Sequence, residues 1–244
     1  MAPSGQRTRP VRKMNPFVLY LDIEHPLALL NRKRRAAHLK SVRRDSEIFR
    51  RLSRAGCMSQ SFIWLDGSHL DELPLVAIVI SGNRTNWEKY TPSQLQQPYE
   101  AIRSSSVPIL GICGGHQLVC RALGGKVGPM RRLSEGEPDP YPRYMPGYFK
   151  ERGYAQVDIR RQHELFSGLR DRVIVHQSHY CEVKDAPDVL EVLADSPNCR
   201  IQAVAHREKP IFGVQFHPET FDEAHQDGRK VLENFFRIAR SARR

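Results

Sequence analysis

Short apolar runs, each bounded by polar or glycine-rich breaks, dominate the pattern along the chain. "PFVLYLDI" (16–23) reads as a buried strand. "LPLVAIVISGN" (73–83) is a continuous β-branched run, the mark of a strand covered on both faces, and "VPILGIC" (107–113) is another. "SFIWLDG" (61–67) is also strand-like. Between them the apolar positions fall at helical spacing. Residues 25–56 carry leucines and alanines in that register and end on a glycine. They predict one or two helices, the second starting near Asp45-Ser46, where a capping residue is on hand. "TPSQLQQPYEAIRSSS" (91–106) predicts a capped helix or a pair of turns, and "GHQLVCRALGG" (115–125) a helix closed by glycines.

The second half changes rhythm. "RRLSEGEPDPYPRYMPGYFK" (131–150) holds four prolines and four Tyr or Phe and predicts a long ordered loop or lid. "YAQVDI", "RVIVHQS", "VLEVLADS", "IQAVAH" and "IFGVQF" follow as short strands, and "GRKVLENFFRIARSA" as a final helix. Strands alternating with helices predict an α/β fold with a largely parallel sheet.

Composition narrows the function. The chain has 244 residues and a net charge of +11, yet residues 1–54 hold fourteen Lys or Arg against four acids. The basicity therefore belongs to the N-terminal portion, and residues 1–14 read as a disordered basic arm. Residues 15–244 read as one domain, with a basic helical insertion at 26–44 and a loop insertion at 131–150. The apolar runs are strand-sized, far short of the roughly 18–20 residues of a membrane span. No secretory signal is expected, because Asp22 and Glu24 interrupt the first apolar run. Five cysteines without a C-x-x-C pair suit the cytoplasm and argue against structural zinc.

Gly111-Ile112-Cys113-Gly114-Gly115 fits the G-x-nucleophile-x-G pattern of a strand-to-helix elbow. There, side chains two residues either side of the nucleophile would collide, and glycine removes both clashes. The elbow lifts the thiol above the carboxyl edge of the sheet. It also sets it at a helix N-terminus, whose positive end favours negative charge. On the pentapeptide alone, a small buried cysteine on a glycine-rich turn is an equal reading. "GVQFHPET" (213–220) offers the base that a nucleophile needs. His217 follows an apolar strand and Glu219 comes two residues later, where a carboxylate can orient the ring. Alone, H-P-E reads more simply as a loop with a surface histidine; beside the elbow it does not.

"GICGGHQ" followed about a hundred residues later by "GVQFHPE" resembles the class I (triad) glutamine amidotransferase family. "IVISGN" is similar to its oxyanion strand, and "GGKV" follows the nucleophile helix as it does there. "VIVHQSHYCEV" is similar to the segment lining its glutamine pocket. "LADSPNCRIQAVAHREKPIFGVQFHPE" runs in step with the glutaminase domain of GMP synthetases. The likeness covers roughly 73–130 and 153–238.

The resemblance implies a flavodoxin-like three-layer α/β sandwich with a central, mostly parallel sheet and a nucleophile elbow. It implies that Cys113 attacks the glutamine side-chain amide, that His217 acts as base and then acid, and that Glu219 orients it. Gly82 or Asn83 and Gly114 would hold the oxyanion through backbone amides. Gln117 would contact the substrate, and backbone groups near Ser178 and His179 would grip its amino-acid end. No metal and no cofactor is expected: His176 and His179 form an H-x-x-H without a third ligand, and Cys120 reads as core.

Asn83 stands where the family usually has a second glycine, and the expectation is that asparagine tolerates a positive φ there. The chain shows no phosphate loop and no room for a second domain, so the resemblance implies ammonia passed to a synthetase on another chain. A stand-alone γ-glutamyl amide or peptide hydrolase and a non-catalytic binding module are the alternatives. The basic 26–44 segment is read as a solvated face, as a docking surface for an acidic partner or, least favoured, as a nucleic-acid contact. It lacks interleaved aromatics and any nucleic-acid motif.

Overall fold

The computed structural model describes residues 14–242. The expected arm, apart from residue 14, lies outside them. In chain order the elements are β1 (Phe17–Asp22), α1 (Arg32–Ser53), β2 (Gly56–Ser61), β3 (Leu75–Ile80), α2 (Pro92–Ser104), β4 (Ile109–Ile112), α3 (Gly114–Ala122) and β5 (Lys126–Pro129). Then follow β6 (Glu151–Ile159), β7 (Arg172–His179), β8 (Cys181–Asp185), β9 (Leu190–Ser196), β10 (Cys199–His206), β11 (Ile211–Val214) and α4 (Asp227–Ser241).

Among the described residues nine strands form one sheet in the order β2-β1-β3-β4-β11-β10-β9-β6-β7. The first five are parallel and the last four antiparallel. Helices cover both faces of the parallel part, as the apolar runs require. On β1, Val18 and Tyr20 join a core with Phe49 of α1 and Phe235 and Phe236 of α4. Phe17, Leu19 and Leu21 of the same strand join the other core, with Leu95 of α2 and Leu118 of α3. This is the expected α/β sandwich with parallel central strands.

The antiparallel extension curls back on the parallel half. β7 lies at the sheet's far edge, yet its His176 bridges His217, just beyond β11. The amide of His217 donates to the His176 carbonyl at 2.8 Å. That return brings residues 176–180 over the end of β4.

The structure decides one open expectation and corrects another. Of the one or two helices expected in residues 25–56, a single α-helix, α1, forms after a 3-10 turn at Pro26–Leu29; the Asn31 side chain caps it on the amide of Arg34, and it does not break at Asp45. Val42, Asp45, Phe49 and Ser53 form its buried stripe, so Asp45 faces inward instead of capping a second helix. In "SFIWLDG" only Ser61 is strand, and Phe62–Trp64 is a 3-10 turn. Phe62 and Leu65, three residues apart, are its buried apolar side chains. The strand is the preceding "GCMSQS", a largely polar edge held by parallel pairing with β1.

The basic segment proves continuous with this crossover helix. Because β1 ends at the carboxyl edge and α1 runs back from it, the exposed, basic first half of α1 stands at that edge. His38 pins it there, sharing a hydrogen bond with Asp22 at 2.7 Å. Segment 131–150 is an ordered loop. A bridge between Arg132 and Tyr148 closes its base, and the buried Lys150 ammonium grips Asp139 at 2.8 and 2.9 Å.

Candidate functional site

Cys113 joins β4 to α3 at φ 52° and ψ −104°, a strained conformation for a residue with a side chain. Neighbouring backbone fixes it: its amide donates to the Val214 carbonyl of β11 at 2.8 Å. The flanking glycines are sterically required. A methyl at Gly111 would lie 2.4 Å from the Gly115 carbonyl oxygen, and one at Gly115 would lie 2.3 Å from that of Ile80. Only glycine lets α3 start this close to β3 and β4.

The same turn lifts the Cys113 sulfur towards the end of β7, 3.9 Å from the Ser178 carbonyl oxygen, while the Gln215 side chain donates to it through Nε2 at 3.5 Å. His217 approaches from the chain after β11. Its Nδ1 bonds Glu219 Oε1 at 2.7 Å, and its other flank meets Cys113. Gly82 completes the contact: a methyl there would touch His217 Cε1 at 3.3 Å and Cys113 Cβ at 3.4 Å. Cys113, His217, Glu219 and Gly82 are thus brought together.

Burial works against a charged imidazole, but the charges of Glu219 and Cys113 outweigh it and hold His217 well above its ordinary value. Burial likewise opposes ionisation of Glu219, and the attraction of His217 outweighs it, keeping the carboxyl below its usual range. The ring therefore keeps its proton to higher pH than a free imidazole, beside groups whose negative charge favours the imidazolium.

Asn83 packs against Gly114 so closely that a methyl at Gly114 would lie 1.9 Å from Asn83 Oδ1 and 2.9 Å from the Asn83 amide nitrogen. Asn83 Nδ2 donates to the Thr85 carbonyl at 2.7 Å and to the Tyr90 hydroxyl at 3.1 Å. The positive φ expected at Asn83 is absent: among the described non-glycine residues only Arg54, Cys113 and Met145 have one. Asparagine is accommodated because residue 114 has no side chain.

Gln117 is buried on α3, with Nε2 donating to the Cys181 carbonyl and to Gln215 while Oε1 accepts from Trp87 Nε1. One lone pair of Oε1 is left for any ligand. His179 turns away from Cys113: Nε2 meets Glu151 at 2.9 Å and Gln177 at 3.1 Å in a buried network. Its backbone, like that of Ser178, stays beside the site.

Reasoning along the chain missed several site residues. Asp45 and Tyr20 line a cavity of about 300 Å³ together with Cys113, His217 and Glu219. The Tyr20 hydroxyl donates to Asp45 at 3.2 Å, and Arg44 Nε at 2.8 Å. Burial, then the nearby Glu219, push the Asp45 carboxyl up to about 6, against the pull of Arg44. A carboxylate within the apolar stripe of α1 was the available signal. Glu24 is the other: its two oxygens accept from the amides of Arg84 and Thr85 and from the Thr85 hydroxyl, fixing the loop after Asn83.

The model of the glutamine amidotransferase class-I family matches residues 46–239. This chain belongs to that family. Among curated amidotransferases, it is 38% identical over 144 residues to a subunit of the glutamine-hydrolysing GMP synthase of Methanothermobacter thermautotrophicus, covering 58% of this chain and 66% of that one. The corresponding subunit of Pyrococcus furiosus is 35% identical over 172 residues, covering 69% and 80%. The chain thus spans about two-thirds of the first of these relatives and four-fifths of the second. A Thermoplasma acidophilum protein described as a GMP synthase subunit superposes with TM-score 0.71 over 95% of this chain and 98% of its own. At 24% identity that likeness shows the fold, the flavodoxin-like α/β sandwich of class I amidotransferases. Among the described residues no helix is long and apolar enough to cross a membrane.

Proposed function

We propose that this chain is a glutaminase subunit that hydrolyses the side-chain amide of glutamine and passes ammonia to a synthetase on another chain, as the names of its relatives suggest. The observation that carries the reading is the placement of the His217 imidazole between Cys113 and Glu219, with its Nδ1 2.7 Å from Glu219 Oε1. In this reading the Cys113 sulfur adds to the amide carbonyl. The oxyanion forms at the Asn83 and Gly114 amides, where each donor is worth about 10²–10³ in rate. His217 protonates the departing ammonia, then takes a proton from the water that cleaves the thioester. Glu219 keeps the ring oriented throughout. Gln117 and the backbone at Ser178 and His179 shape the glutamine pocket, and no cofactor takes part. The cytoplasm suits the free thiol.

Ammonia release without an acceptor wastes glutamine, so turnover by the isolated chain is expected to be slow. The test therefore reads the thiol directly. A γ-diazoketone analogue of glutamine should alkylate Cys113, located by peptide mass spectrometry, and excess glutamine should protect it. Labelling elsewhere, or without protection, would overturn the assignment.

A further inference from the structure

A groove of about 620 Å³ opens beside the site, far larger than ammonia needs and within the usual range of small-molecule pockets. Arg34, Arg84, Lys89 and Arg152 line it, with Leu27 and Tyr144 among its apolar and aromatic walls. None of the four cations forms a salt bridge within the described residues. The groove's acid, Glu24, is occupied by the loop donors at Arg84 and Thr85, and His38 is paired with Asp22. The lining is thus built for negative charge.

Position links this groove to the nucleophile. Asn83 and Ser178 line it, and also line both the 300 Å³ cavity and the narrow pocket that reaches Gln117 and Cys181. A ligand whose carbonyl sits at Cys113 can therefore lay one end towards Gln117 and the other along the arginines. Arg152 is presented by the loop aromatics, its guanidinium 4.5 Å from the Tyr141 ring centre and 5.7 Å from that of Tyr144. Stacking of this kind orients a guanidinium while leaving its edge free for a carboxylate.

We infer that the groove receives the leaving half of a γ-glutamyl peptide whose amine-side residue carries a carboxylate, and that the chain hydrolyses such peptides as well as glutamine. The inference rests on the reading of Cys113, His217 and Glu219 as an acyl-transfer centre. The chemistry balances without a further reactant. The Cys113 sulfur bonds the γ-carbonyl carbon as its C–N bond breaks, and His217 gives its proton to the departing nitrogen, releasing an amino acid. Water then cleaves the thioester, returning a proton to His217 and freeing glutamate and the thiol.

The experiment uses the full chain with three substrates: γ-glutamylglutamate, γ-glutamylmethylamide and glutamine. The expected result is hydrolysis of γ-glutamylglutamate with higher kcat/KM than the methylamide. Arg84→Ala and Arg152→Ala should each cut that preference about tenfold through KM, as loss of a charge-assisted hydrogen bond implies. The methylamide and glutamine rates should stay put, and Arg152→Lys should recover part of the loss. Failure to hydrolyse γ-glutamylglutamate overturns the inference, as does an equal loss on the acidic and neutral amides. Labelling of Cys113 by the diazoketone in the same preparation separates the outcomes. Labelling without peptide hydrolysis removes this inference and leaves the amidotransferase reading standing, whereas absence of labelling removes both.

Discussion

Asp45 of α1 and Glu219 beyond β11 line the same cavity, two buried carboxyls with no hydrogen bond between them. Glu219 commits Oε1 to His217, and its Oε2 has no partner among the described residues. Asp45 is held instead by Tyr20 and Arg44. Two negative charges in one poorly solvated space disfavour each other, and the cost falls on Asp45, because His217 neutralises its rival.

That cost has a pH signature. The folded-state pKa of Asp45 lies near 6, above its ordinary value of 3.8. A raised carboxyl lets the fold keep its full stability at acid pH and lose some as pH rises through 4 to 6. Asp45→Asn removes the charge, so the variant should gain on the wild type over that interval, by on the order of 1–3 kcal/mol at pH 7. Urea unfolding at pH 4 and pH 7 checks it, and a difference that does not change with pH would contradict the coupling.

Glycines 82 and 115 should fail in different ways. A methyl at Gly115 meets the rigid Ile80 carbonyl, so Gly115→Ala should destabilise the fold by about 3 kcal/mol or more. At Gly82 the methyl meets His217 and Cys113 at ordinary or slightly tight contact. Gly82→Ala should keep its Tm within a few degrees and lose roughly 10–100-fold in turnover, since a small displacement of reacting groups is costly. Thermal unfolding and glutaminase rates on both variants, measured together, decide this.

Asn83 offers a third contrast. Its backbone needs no special φ, and its side chain only ties the loop to Thr85 and Tyr90. Asn83→Ala should therefore retain the amide facing the site and keep kcat within about tenfold, whereas loss of an oxyanion donor costs about 10²–10³. A fall of the larger size would show that the side chain itself acts on the substrate.

The parts of the molecule legible in the sequence are those whose cause is local. β1, β3 and β4 declare themselves because both their faces are covered, and the glycines around Cys113 because the clash they avoid lies within a few residues or on an adjacent strand. β2 gave no signal, because a polar edge strand is held by its neighbour and not by its own apolar pattern. Whether α1 breaks at Asp45 stayed open in the sequence for one cause: Asp45 is a polar residue in an apolar stripe, and its Tyr20 partner on β1 appears only when β1 and α1 pack. The return of β7 onto His217, and the meeting of Arg34, Arg84 and Arg152, depend on the curl of the sheet, which no local spacing records.

Glu219 supplies a final test, because orientation and charge can be separated there. Glu219→Gln keeps an oxygen for His217 Nδ1 but removes the charge that, against burial, lifts the imidazole above its ordinary value. The ring should then lose its proton at a lower pH. An imidazolium beside a sulfur favours the reactive thiolate, so alkylation of Cys113 by iodoacetamide reports the change. In the wild type, alkylation assisted by His217 should persist above neutral pH. In Glu219→Gln the assisted region should end at lower pH, and glutaminase turnover should fall by about 10²–10⁴. Were the alkylation profile to stay in place while turnover fell, Glu219 would act by orientation alone, and the charge of the pair would have no part in activating Cys113.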